Sequence, residues 1–112
     1  MIRLLGVCLL FAAPLMSACG PMQSTAYLYD ADIQLEAART AGAAEKTDAV
    51  YYWTLANLYI HQAREEVGYS HYESAVDFAR KAKEFAIKAK DKANGITPSQ
   101  KDGSATAEAP TP

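Results

Sequence analysis

Cysteine is scarce in this chain. Cys8 and Cys19 are the only two among 112 residues. If residues 1–18 are removed on export, Cys19 alone is left, which excludes a disulfide framework and a thiolate metal site. A basic excess is also missing. The chain carries 11 Lys and Arg against 13 Asp and Glu, a formal charge of −2, and loss of Arg3 makes the remainder more acidic. That is not the footprint of a nucleic-acid binder. No serine sits in a G-x-S-x-G setting and no glycine-rich phosphate loop occurs. The carboxylates are dispersed. An enzyme is therefore not expected, and neither is a dissociable cofactor. Long apolar runs are absent after residue 18. The one in the chain, Leu4 to Leu15, is too short for a bilayer, which takes about 20 apolar residues.

That run has another use. Arg3 supplies a positive start, Leu4–Leu15 an apolar segment, and Met16-Ser17-Ala18-Cys19-Gly20 a stretch of small residues ending at a cysteine. The pattern resembles the bacterial lipobox, with Met16 where leucine is usual. It implies peptidase recognition at Met16, Ser17 and Ala18 and cleavage before Cys19. The Cys19 thiol would carry a diacylglycerol, and the new amino end a further acyl chain. One chain holds a protein to a membrane only marginally, whereas two or three hold it durably. Gly20, in place of aspartate, resembles an outer-membrane address, so the expected location is the periplasmic face of that membrane. The competing expectation is an ordinary secretory signal cut near Ala18, which would free the protein into the periplasm.

The remainder reads as a short tether over 19–25, a helical domain over 26–94 and a disordered tail over 95–112. The tail is rich in Ser, Thr, Pro, Ala and Gly and has no hydrophobic periodicity. Three helices are expected, roughly 26–41, 48–67 and 70–93. In the first, Ile33 and Ala37 share a face, with Ala26, Tyr29 and Ala41 near it, and Gly42 stops it. The second is capped by Thr47 or Asp48. Its stripe is Ala49, Tyr52, Ala56, Tyr59 and Ala63, widened by Trp53 and Ile60, and Gly68 closes it. In the third, Ser70-His71-Tyr72-Glu73 fits a capping box. Ala75, Ala79, Ala82, Ala86, Ala89 and Ala93 then form a seam, with Phe78 and Phe85 on its flank. Alanine lets backbones approach closely but buries little area. The fold class is all-α, a three-helix antiparallel bundle.

Helices two and three resemble one tetratricopeptide unit, through Tyr52-x2-Leu55-Ala56-x2-Tyr59 and Gly68-x3-Tyr72-x2-Ala75. Tyr52 stands where that repeat has Trp, Arg80 where it has Pro, and there is one unit where solenoids need about three. A second resemblance covers nearly the whole helical region. The run from Leu58 to Tyr69, then Tyr72-Glu73-x-Ala75 and the alanine ladder, resembles a family of short bacterial lipoproteins with a helical domain of unknown function. Its members occur alone behind a lipobox or joined to OmpA-like domains. The resemblance implies an envelope-facing helical module and no particular activity. An OmpA-like segment is not among these 112 residues, so peptidoglycan binding is not carried over.

Other features of the chain have plainer explanations beside the functional ones. His61 and Glu65 share a helix face, with His71 across the turn, yet the HExxH signature is missing and no metal is expected. The run Arg80, Lys81, Lys83, Lys88, Lys90 and Lys92 would suit anionic headgroups. It suits a helix C-terminus equally, with Asp77–Lys81 and Glu84–Lys88 as i,i+4 pairs. Tyr51, Tyr52 and Trp53 cannot all face one core, which makes Tyr51 the outward member. The leading reading is a membrane-anchored structural or protein-interaction module. Its surface would include Tyr51, Trp53 and Ala82, its partner would be another envelope protein, and a homo-oligomer is allowed. The alternative is a small-ligand or lipid-binding module with a pocket lined by Tyr and Phe.

Overall fold

The computed structural model describes residues 19–97. Residues 1–18, among them Met16, Ser17 and Ala18, lie outside that range, as do residues 98–112. Three helices account for the regular structure among the described residues: α1 (Cys19–Thr40), α2 (Thr47–Gly68) and α3 (Tyr72–Ala93). They form a bundle in which α1 packs chiefly on α3 and less on α2. Pairings fix the directions. Gly20 of α1 lies against Tyr72 of α3, and Lys83 reaches Asp30, so α1 and α3 run parallel. The Lys46 ammonium, just before α2, donates to the carbonyl of Ala93 at the far end of α3, so α2 runs antiparallel to α3.

The core is built almost entirely of alanine. Ala31 and Ala38 of α1, Ala49, Ala56 and Ala63 of α2, and Ala75, Ala79, Ala82, Ala86, Ala89 and Ala93 of α3 are buried, together with Ala43 in the first turn. Ile60 and Val76 are the larger buried apolar residues. The expected α3 seam is thus present in full, as are the alanines and Ile60 of the α2 stripe. Two clusters organise the interior. At one level Ala31, Ile60 and Ala82 meet, flanked by Leu35 and Tyr59. Near the α1–α2 turn Ala38, Ala43, Ala49, Ala89 and Ala93 meet, with Ala41, Tyr52 and Trp53 packed against them. Each alanine methyl contributes under about 1 kcal/mol. The bundle therefore depends on many small contacts rather than a few large side chains.

Helix α1 departs from expectation in two ways. First, residues 19–25 are helical and do not form a tether. Pro21 does not prevent this, because a proline in the first turn removes an N–H that has no intrahelical partner there. Ser24 Oγ and Thr25 Oγ1 donate to the Pro21 carbonyl at 3.0 and 2.8 Å. Gly20 seats this turn: a Cβ there would come within 3.0 Å of Tyr72 Cδ2. Second, α1 presents the opposite face to the one expected. Ser24, Ala31 and Ala38, seven residues apart, are buried. Ile33 and Tyr29 face outward. The alanine face of α3 accommodates a helix only at close range, and a small-residue face meets that condition where Tyr29 and Ile33 would hold the backbones apart.

The helix ends also differ from the capping expectations. Lys46, and not Thr47 or Asp48, occupies the N-cap of α2 without a side-chain cap bond. The capping box at α3 does not form. His71 is the N-cap with no side-chain cap bond, because Ser70 is drawn into the turn at φ 63°. There its N–H bonds the Val67 carbonyl while the His71 N–H bonds Glu66. Gly42 takes φ 83° and stops α1 as expected. Gly95, at φ 72°, follows the Asn94 C-cap of α3.

Two outcomes are expected in urea unfolding. Ala82→Leu overfills the Ala31–Ile60 level and should destabilise the bundle by about 1–3 kcal/mol. Ser70→Gly relieves a left-handed serine and should stabilise it by up to about 1 kcal/mol.

Candidate functional site

Cys19 is a free, exposed cysteine at the N-terminal end of described α1. It is already within helical structure, so a group attached to its sulfur departs from the bundle itself. Along the same face, at steps of three and four, come Met22, Ala26, Tyr29 and Ile33. Met22 is 78% exposed, Tyr29 69% and Ile33 47%, so this apolar face is uncovered. Pro21, Met22, Thr25, Ala26 and Tyr29 line an open depression on it. Acidic residues flank the stripe on both sides and are held by cations of the other helices. Arg64 donates to both carboxylate oxygens of Asp32 at 2.8 and 2.9 Å, and Lys83 reaches Asp30 at 2.5 Å.

A second surface lies along the α2–α3 seam, away from α1. Four rings form a ladder there. Tyr52 stacks on Phe85 with centroids 6.3 Å apart, Tyr59 on Phe85 at 5.5 Å and Tyr59 on Phe78 at 6.1 Å. Lysines lie over its outer side. The Lys81 ammonium is 5.6 Å from the centroids of both Tyr59 and Phe78, and that of Lys88 is 5.3 Å from Phe85. These contacts follow from heptad spacing on both helices, Tyr52 to Tyr59 and Phe78 to Phe85. The rings pack on one another, which is a different arrangement from the pocket lined by Tyr and Phe considered above.

The residues expected at an interaction surface separate. Tyr51 is 64% exposed and meets Tyr52 edge-on at 5.4 Å. Trp53 is half-buried against the cluster around Ala38, and its Nε1 is buried without a hydrogen-bond partner among the described residues. Ala82 is fully buried between the helices. It is therefore not a surface residue, because the same small side chain that suggested an open seam admits α1 onto α3.

Most of the basic run is engaged in contacts within the bundle, while Lys92 is exposed. Arg80 donates to the Tyr27 hydroxyl at 3.1 Å, and Lys90 to Gln34 at 3.2 Å. The Tyr27 contact pushes the Arg80 guanidinium above its ordinary range. Lys88 pairs with Glu84 at 2.7 Å, as the spacing suggested, and this bond raises the ammonium above its usual value. Asp77 approaches Arg80 at 4.0 Å, while Lys81 lies over the rings. His71 pairs with Glu66 Oε2 at 2.9 Å and His61 is exposed. Among the described residues no group of three His, Cys, Asp or Glu is placed to hold a metal. No described helix is long and apolar enough to cross a membrane.

No family model matches this chain, and comparison with curated proteins and with solved structures finds no match either.

A double-mutant cycle on Tyr59→Leu and Phe85→Leu should return a coupling of about 0.5–1.5 kcal/mol in urea unfolding, the size of one stacked aromatic pair.

Proposed function

We propose that this protein is a lipid-anchored module of the bacterial envelope with a structural or protein-interaction role. The observation that carries the reading is Cys19. An apolar leader and the small residues Ser17 and Ala18 precede it, as lipid transfer and cleavage require, and its thiol is exposed. The expected attachment is a diacylglycerol on sulfur with an acyl chain on the new amino end. The expected membrane is the outer one, at its periplasmic face, by the resemblance of Gly20 to an outer-membrane address. The resemblance to short lipoproteins with an alanine-rich helical domain supports the same assignment.

Tyr51 is the residue on which the interaction role rests. It is large, exposed and in edge contact with Tyr52, and tyrosine is enriched where proteins meet. The partner class is another protein of the envelope, with a second copy of this chain as the competing occupant.

Cys19→Ala should move the protein from the membrane fraction to the soluble periplasm and remove the acyl mass from the mature chain. Retention in the membrane with unchanged mass would overturn the anchor. A photoreactive residue at Tyr51 should give a discrete adduct in cells that is lost with Cys19→Ala. Adducts to the chain itself alone would make it a homo-oligomeric element, and the absence of any adduct would remove the interaction role.

A further inference from the structure

The outward face of α1 has a composition that an aqueous surface does not explain. Met22, Ala26, Tyr29 and Ile33 follow one another at helical spacing and stay exposed, while the opposite face, Ser24, Ala31 and Ala38, seats the helix on the bundle. Cys19 falls in register with the exposed stripe, three residues before Met22. Acyl chains on Cys19, as proposed above, bring the membrane to the same end and the same face of α1 that is left apolar. Over the span from Cys19 to Ile33, about 21 Å at 1.5 Å per residue, the stripe itself holds no charge. The acids beside it, Asp30 and Asp32, are engaged by Lys83 and Arg64, which lessens their repulsion from anionic lipid. Tyrosine is a residue that settles at the boundary between headgroup and acyl chain.

We infer that α1 lies flat on the anchoring leaflet, with Met22, Ala26, Tyr29 and Ile33 in contact with lipid, so that the bundle has a fixed orientation at the membrane. This rests on the membrane anchorage proposed above and adds a second contact to it. An interfacial helix binds through the apolar area it buries at the headgroup boundary. Acyl chains leaving Cys19 on that face would enter the bilayer directly beneath the stripe. The α2–α3 seam with its aromatic ladder then faces the periplasm, away from lipid.

The test uses the acylated full chain isolated from cells and reconstituted in vesicles of phosphatidylethanolamine and phosphatidylglycerol. A nitroxide is placed at Tyr29→Cys, at Ile33→Cys or, on the opposite side, at Lys81→Cys. Collision with oxygen, which concentrates in lipid, is compared with collision with a water-soluble nickel complex. The oxygen-to-nickel ratio should be several-fold higher at residues 29 and 33 than at 81. Equal ratios at the three positions would overturn the inference. Exclusion of both reagents with spin–spin broadening would also overturn it, by showing a second copy on the face. Mass spectrometry of the same sample reports the acyl groups separately. If they are missing, the anchor reading fails by itself, and the same labels in a Cys19→Ala background mixed with vesicles still decide the face by the same ratios.

Discussion

The structure depends on close approach of three helices across a surface of methyl groups. Alanine at almost every interior position brings the backbones together, and each methyl adds only a small hydrophobic gain. Such an interface tolerates little change in either direction. A larger side chain pushes two helices apart along their whole length, and there are few large side chains whose loss a neighbour would fill. Ile60, buried between Ala31 and Ala82 where all three helices meet, is the largest fully buried side chain among the described residues.

What a small core does not supply is gathered at its margins. The stacked rings of Tyr52, Phe85, Tyr59 and Phe78 close the α2–α3 seam on one side. Polar pairs tie α1 to its neighbours: Asp32 to Arg64, Asp30 to Lys83 and Gln34 to Lys90. These pairs are partly exposed, and the ionic ones contribute at most about 1 kcal/mol each. Their greater effect is on register. α1 and α3 run side by side with Arg80, Lys83 and Lys90 meeting Tyr27, Asp30 and Gln34 in chain order, and a shift of α1 by one turn would separate all three at once.

This use of charge bears on function. Of the basic residues on α3, Arg80, Lys83 and Lys90 reach α1 and Lys81 and Lys88 lie over the ring ladder, while the outward stripe of α1 beside Cys19 is uncharged and apolar. The two proposed contacts, lipid on α1 and a protein partner at Tyr51 of α2, then fall on different sides of the bundle. The anchor and the interaction surface do not compete for the same residues.

The sequence by itself determined the helical class, the three segments, the α3 alanine seam and the stop at Gly42, because helical periodicity and a glycine at positive φ are local properties. The one-heptad spacing of the rings on α2 and on α3 was legible as well, though their stacking was not. Tertiary structure alone decided which face of α1 turns inward. Ranking faces by hydrophobicity selects Ile33 and Tyr29, while close packing on alanine selects Ser24, Ala31 and Ala38, and that choice requires knowledge of the partner surface. The same cause buries Ala82, which looked like an available seam until α1 was laid on it. The helical course of residues 19–25 was equally hidden, since it rests on Gly20 meeting Tyr72 more than fifty residues away. Hydrophobic pattern reports which residues avoid water. Which of them can approach one another is a matter of shape, and shape is settled only when the helices meet.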